Sequence, residues 1–352
     1  MIDRTHEKAG SAARLRVVVV GATGNVGTSV VQTLSGHPGI GAILGIARRI
    51  PEWQPDRTTW AAADIDPGRA DLVHHFTGAD AVVHLAWKFQ PTHDPVTTWR
   101  TNVLGGIRVF ESAAEAGVPV LIHASSVAAY SPGPKESPVD ESWPTHGWPQ
   151  AAYCREKAYV ERYLDAFEQT HPAVRVVRMR PAFLFKRESA SQQRRIFAGP
   201  LLPLHLIRPG TLPAVPDLPG LKFQALHTDD AAAAYCEAVV RPVRGAFNLA
   251  ADPPLDAARL AGILEARQLR IPVSPVRAAL SAAWRLRLVS ASPGLFDALL
   301  RLPLMDSSRA RAELDWEPRY TAVEAIQEFL EGLRARAGMD TAPLAPGARI
   351  VG

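Results

Sequence analysis

The first half of the chain alternates short β-rich apolar runs with longer segments in which apolar residues recur at helical spacing. Runs at 15–20, 42–47, 58–63, 81–85, 118–124 and 174–180 predict strands, and segments near 26–35, 67–76, 96–116 and 151–171 predict helices. The strand runs are nearly continuous in Val, Ile, Leu and Ala, as strands buried on both faces must be. Strands alternating with helices predict an α/β fold: a Rossmann-type doubly wound parallel sheet with right-handed crossovers.

The second half is less regular. Prolines and glycines recur over 200–219, which predicts irregular structure there. A strand at 222–227 leads into a helix at 229–240 with Asp229 as its N-cap, and helical patterns continue to about 336. The predicted organisation is a flexible N-terminus over 1–14, a Rossmann domain over 15–182, and a smaller, mostly helical substrate-binding part over 183–336. Some segments of that second part return to the first. A flexible tail over 337–352 follows. The proline-rich loop 131–149 is placed near the site as a candidate lid.

Composition narrows the class. Of 352 residues, 47% are apolar and 21% charged, the balance of a globular enzyme. The formal charge of +4 comes from 39 basic and 35 acidic side chains with no basic run, so no nucleic-acid partner is expected. Two cysteines, Cys154 and Cys236, make no disulfide framework and point to a reducing cytoplasm. The most apolar region, 278–305, is broken by charges and prolines, so no membrane span is expected, and no Cys/His cluster has metal-ligand spacing.

The first candidate chemistry is Gly21-Ala-Thr23-Gly24-Asn25-Val26-Gly27, directly after Val17-Val18-Val19-Val20. The first glycine allows a tight turn, the second a close approach to a pyrophosphate, and the third close packing of helix on sheet. The helix start then aims free N–H groups at the phosphates. No acidic residue occurs between Gly24 and Glu52 to hold a ribose 2′-hydroxyl, and the second strand ends in Arg48-Arg49. Guanidinium groups there suit a 2′-phosphate, so NADP(H) is preferred and NAD(H) is the alternative.

The second is Tyr153-Cys-Arg-Glu-Lys157, whose i, i+4 spacing puts phenol and ammonium on one helix face. A free phenol titrates near ~10, and a neighbouring cation favours its phenolate. Upstream, the fifth strand ends in Ser125-Ser126, where a serine hydroxyl can bond a substrate carbonyl oxygen.

The glycine spacing, the serines and Tyr153/Lys157, in this order, resemble the extended branch of the short-chain dehydrogenase/reductase superfamily, the epimerase/dehydratase family. The resemblance runs from about Arg16 to Leu333 and includes His227-Thr-Asp229-Asp230-Ala and Leu314-Asp-Trp316-Glu-Pro318. It implies that Ser126, Tyr153, Lys157 and Asn102 are catalytic. It places Asp64 and Ile65 at the adenine, and Leu85, Ala86 and Trp87 beside ribose and pyrophosphate. Ala124, Pro181 and Phe183 line the nicotinamide side. Asn102, Tyr153 and Lys157 also meet the cofactor. Trp87, Ser126, Phe183 and Phe185 are the candidate substrate contacts.

The implied reaction is carbonyl reduction or its reverse: hydride passes between nicotinamide and substrate while Tyr153 transfers the proton, Ser126 bonds the oxygen and Lys157 tunes Tyr153. After Arg180-Pro181 the chain lacks the Tyr-Gly-Pro turn and asparagine with which nucleotide-sugar enzymes of the family hold a diphosphate. The expected substrate is therefore a small to medium hydrophobic carbonyl compound, lined by residues including Trp143 and Trp148 as well as those named above. Lys186, Arg187, Arg194 and Arg195 are candidate phosphate contacts. The alternatives are a nucleotide-sugar epimerase or dehydratase with tightly bound NAD, and a non-catalytic NAD(P) sensor. The resemblance also implies a homodimer through the helices at 96–116 and 151–171.

Overall fold

A computed structural model describes residues 14–66, 68, 71–198 and 208–346. At its centre is a seven-stranded, all-parallel sheet of β1 (Leu15–Val20), β2 (Ile40–Ala47), β3 (Thr58–Ala62), β4 (Ala81–His84), β5 (Val120–Ala124), β6 (Arg175–Pro181) and β10 (Gly245–Leu249). Their spatial order is β10-β6-β5-β4-β1-β2-β3. Between β6 and β10 in the chain come β7 (Phe183–Phe185), β8 (Ala214–Asp217) and β9 (Lys222–His227). β11 (Ala251–Asp256) joins β9 and β7 in a small mixed sheet, and β12 (Arg267–Arg270) pairs with β8.

Successive valines of β1 point to opposite faces and seed two cores. Val17 and Val19 pack with α1 (Asn25–Gly36) on one side, while Val18 and Val20 face α2 (Leu72–Phe76) on the other. The second face continues through α3 (Pro95–Trp99), α4 (Gly105–Glu115) and α5 (Ala152–Thr170). The short α6 (Ala190–Gln193) precedes α7 (Thr228–Val240), which closes the first face. The remaining helices are α8 (Ala257–Leu264), α9 (Val273–Arg285), α10 (Pro293–Leu299), α11 (Ser308–Leu314) and α12 (Ala322–Ala335).

The structure departs from the sequence pattern in several places. The helix predicted over 96–116 is two helices joined by a wide π-turn, Arg100–Leu104, that carries Asn102. β10 falls where helical pattern was read, because Gly-Ala-Phe-Asn-Leu contains no β-branched residue and pairs with β6 alone. Asp229 is not the cap of α7: the His227 side chain accepts the Asp229 N–H at 3.3 Å, and Asp229 instead accepts from Ser29 Oγ at 2.5 Å.

The loop 131–149 is pinned rather than free. Val139 and Leu304 share a backbone bond at 2.8 Å, Lys135 Nζ caps the carbonyls of Lys222 and Leu299, and Arg162 Nη2 binds Thr145 Oγ1 at 2.6 Å. The tail over 337–346 is packed against the body, with Leu344 buried. The flexible segments predicted over 1–13 and 347–352 lie outside the described residues.

Candidate active site

The sheet order turns back on itself between β1 and β4, and ligands of open α/β sheets bind where their carboxyl ends part. Gly21 leaves β1 with φ +86°, and a Cβ on it would stand 2.6 Å from the Ala86 nitrogen. A Cβ on Gly27 would lie 2.2 Å from the Gly21 carbonyl oxygen. On Gly24 it would meet nothing nearer than that same oxygen, at 3.5 Å, so the surface over the second glycine is open. Among the described residues no side chain caps α1, which leaves the N–H groups of Asn25 and Val26 at its start to face an anion. These residues fit a dinucleotide pyrophosphate.

The other predicted cofactor contacts ring this crevice. Leu85 N–H donates to the Val20 carbonyl at 2.8 Å, and Ala86 abuts Gly21. Arg48 and Arg49 are exposed just past β2. Past β3, Asp64 accepts the Asp66 N–H at 3.1 Å, while Arg108 binds the Asp66 carbonyl at 2.8 Å and Ile65 is buried against Gly105. Lys186 is not a phosphate contact: it is buried beneath α1 and donates to Thr28 Oγ1 at 2.8 Å and Ser29 Oγ at 2.9 Å. Arg195 binds tail carbonyls, that of Pro343 at 2.6 Å.

Across the crevice, α5 presents Tyr153 and Lys157, and Ser125 and Ser126 follow the end of β5. Lys157 Nζ donates to the Ala124 carbonyl at 2.5 Å and sits 3.4 Å from the centre of the Trp87 ring. Phe89 stacks on Tyr153 at 4.8 Å and Trp87 meets it edge-on at 5.8 Å. Burial pushes the Tyr153 phenol above its ordinary pKa, and its hydrogen bond with Ser126 offsets only part of this. The sequence predicted the opposite direction from the nearby ammonium. Burial also drives Lys157 well below its ordinary value, opposed by the carboxylates of Glu161 and Glu156.

Two buried networks hold these groups. Asn102 accepts the Lys88 N–H at 2.7 Å, and its amide nitrogen donates to the Lys88 carbonyl at 2.8 Å and to Glu156 Oε2 at 2.7 Å. These bonds fix the loop after β4. Glu156, fixed also by Thr98 at 2.6 Å, was missed in the sequence although it lies inside Tyr153-Cys-Arg-Glu-Lys157. Behind the serines, Glu161 accepts from Ser125 Oγ at 2.5 Å and from Arg180 at 2.9 Å, and Arg180 also binds the Tyr130 hydroxyl. His84 and His123 lie side by side on β4 and β5, and among the described residues their ring nitrogens have no hydrogen-bond partner. Burial, and next the Lys157 charge, press His84 down to about 3, so it stays neutral.

A cavity of about 320 Å³ opens beside Tyr153, walled by Phe89, Phe197, Trp284 and Leu295, with Lys88 and Arg155 at its polar side. The sequence did not single out Phe197 or Trp284, because neither follows a motif. Phe185, predicted as a substrate contact, packs on Phe329 of α12 at 5.0 Å, outside this cavity. Phe183 is edge-on to Phe223 at 5.4 Å and borders the cluster of Tyr130, Ala151 and Tyr153. Trp143 and Trp148 pack on that same cluster. Pro181 ends β6, buried and in register with Leu249. Among the described residues there is no cluster of three or more metal-ligating side chains, and no helix long and apolar enough to cross a membrane.

The chain is 26% identical over 329 residues to an uncharacterized protein of Mycobacterium tuberculosis, covering 92% of this chain but only 31% of that protein's length. It is 28% identical over 167 residues to a UDP-glucose 4-epimerase of Mycolicibacterium smegmatis, covering 45% of this chain and 52% of the relative. Its fold matches the crystal structure of the Thermus thermophilus UDP-glucose 4-epimerase in complex with NAD. That match has a TM-score of 0.66 and 18% identity, over 91% of this chain and 99% of the other. The family model that matches residues 17–250 completes the picture drawn by the parallel sheet, the open glycine loop and the Ser126/Tyr153/Lys157 grouping: the chain belongs to the NAD dependent epimerase/dehydratase family.

Proposed function

We propose that this chain is an enzyme that moves a hydride between a bound nicotinamide dinucleotide and a carbinol or carbonyl carbon, in a reaction of the epimerase or dehydratase type on a nucleotide sugar. The observation that carries the redox reading is the meeting of Ser126, Tyr153 and Lys157 across the crevice from the open glycine loop. The nucleotide-sugar reading is supported by the family and by the named activity of the Mycolicibacterium smegmatis relative. It takes precedence over the small hydrophobic carbonyl substrate expected from the missing asparagine. When bound, the nicotinamide supplies or accepts the hydride. Tyr153, protonated because its phenol is buried, gives its proton to the substrate oxygen or takes it back, Ser126 bonds that oxygen, and Lys157 holds a positive charge beside them.

A second reading is reduction of a compact apolar carbonyl compound with NADP(H). The aromatic walls of the cavity beside Tyr153, and Arg48 and Arg49 with no acidic competitor at the end of β2, favour it. One assay separates the two. The enzyme is incubated with UDP-sugars and substoichiometric dinucleotide, the sugars are resolved by chromatography, and parallel reactions follow NADPH absorbance with aromatic aldehydes and ketones. Conversion of a UDP-sugar without net loss of NADPH supports the first reading. Stoichiometric NADPH consumption by carbonyl compounds with no UDP-sugar conversion overturns it in favour of the second.

A further inference from the structure

Beyond α12 the chain runs back across the molecule to the glycine loop. The Ala337 carbonyl accepts from Ser191 Oγ at 2.6 Å, and Arg195 grips the carbonyls of Pro343 at 2.6 Å and Ala345 at 3.1 Å. Gly338 permits the tight return, since a Cβ on it would stand 2.3 Å from the Leu344 carbonyl oxygen. Leu344 is fully buried and Thr341 only 2% exposed. A segment without helical or strand periodicity is therefore built into the body.

Its point of arrival is specific. The Thr341 hydroxyl donates to the carbonyl oxygen of Thr23 at 2.9 Å, inside Gly21-Ala-Thr23-Gly24. The N–H of the same peptide group, that of Gly24, donates to the Gly21 carbonyl at 3.2 Å. A trans peptide is planar, with its C=O and N–H on opposite sides. The 23–24 peptide is thus held at both ends, by the loop on one side and by Thr341 on the other. That peptide leads directly into Asn25 and Val26, whose N–H groups open α1 toward the pyrophosphate position.

We propose that Thr341 is a positioning residue of the dinucleotide site, and that residues 337–346 form a strap that fixes the glycine loop and slows cofactor release. A loop held before binding loses less freedom when the pyrophosphate arrives. A loop that must shift to let the cofactor go shifts less readily while Thr341 is bonded to it. Release is the step at which such differences show.

The inference rests on the glycine loop holding the dinucleotide and not on either substrate reading, so its test reads binding alone. Full-length wild type, Thr341→Val and Thr341→Ser are loaded with NADPH or NADH. Dissociation is followed by the loss of nicotinamide fluorescence on displacement by excess oxidised cofactor, and melting temperature is measured alongside. Thr341→Val keeps the shape and removes the donor. It is expected to raise the off-rate about fivefold, the effect of one ordinary hydrogen bond, with Tm little changed. Thr341→Ser should restore the wild-type rate. An unchanged off-rate in Thr341→Val overturns the strap alone, as does an increase that tracks a fall in Tm and is not rescued by serine. Failure of the wild type to bind either dinucleotide overturns both the strap and the loop assignment beneath it.

Discussion

The Lys157 ammonium lies 3.4 Å from the centre of the Trp87 ring and donates a hydrogen bond to the Ala124 carbonyl. A desolvated cation over an indole face gains roughly 2 kcal/mol, which partly offsets the burial that drives the Lys157 pKa down. Trp87→Leu removes that support, so the lysine should lose its proton at lower pH. If the charged lysine is needed for turnover, the alkaline limb of the kcat/KM profile moves down by about one and a half pH units. A pH–rate profile of the variant checks this, and an unmoved limb would count against the pairing.

Tyr153 is stacked on Phe89 and held by Ser126, with a phenol whose pKa burial has raised. It therefore carries its proton throughout the neutral range, and the proposed reaction would use it as the donor to a developing alkoxide. Tyr153→Phe keeps the stacking and removes the proton. Turnover should fall by about 10²- to 10⁴-fold, while cofactor dissociation constants stay within about twofold. Single-turnover rates and fluorescence titration of the cofactor measure the two arms. A variant with near wild-type turnover would remove Tyr153 from the chemistry.

The choice of cofactor is testable at the end of β2. Arg48 and Arg49 are both exposed there, and under the NADP(H) reading they would meet a 2′-phosphate with charge-assisted bonds. Arg48→Ala should weaken NADPH binding by about tenfold or more and leave NADH within about twofold. Isothermal titration with both dinucleotides reads the ratio. Equal losses for NADPH and NADH would mean that Arg48 does not recognise the phosphate.

How far the sequence carries depends on the range of the interaction involved. β1 and β9 are read to the residue, because a valine-rich run ending in glycine and an apolar run ending at a helix cap are local signals. The glycine loop, Ser126, Tyr153 and Lys157 could be picked out as candidates because each lies at a fixed short spacing in the chain, at the end of a strand or within one helix. Lys186 was not: nothing in Phe185-Lys186-Arg187 tells that its ammonium is buried under α1 on Thr28 and Ser29. Phe197 and Trp284 wall one cavity from distant parts of the chain, and Thr341 reaches Thr23 across almost its whole length. Such pairings are set by the packing of finished elements and leave no periodicity behind.

The support behind the serine strand makes a prediction about acid stability. Glu161 is fully buried and accepts from Ser125 Oγ at 2.5 Å, from Arg180 Nε and Nη2 at 2.9 Å each, and from Arg178 Nη1 at 3.2 Å. Burial alone would raise its pKa. The bonds and charges of Arg180, with Arg178 and Ser125, outweigh burial and bring the carboxyl from 4.5 to about 2. A folded-state pKa below the unfolded one means that the folded protein binds the proton less readily. The stabilisation is therefore complete above about pH 4.5 and is lost as pH falls toward about 2, on the order of 3 kcal/mol in all. Glu161→Gln leaves the buried Arg180 guanidinium facing a neutral amide, while Arg178 keeps the carboxylates of Asp165 and Glu168, and should cost about 3 kcal/mol at neutral pH. It should also flatten the dependence of stability on pH in that acid window. Urea unfolding of wild type and variant at pH 3, 4, 5 and 7 measures both effects. Parallel acid limbs in the two proteins would show that the carboxylate's proton equilibrium lies elsewhere than the Arg178/Arg180 pairing dictates.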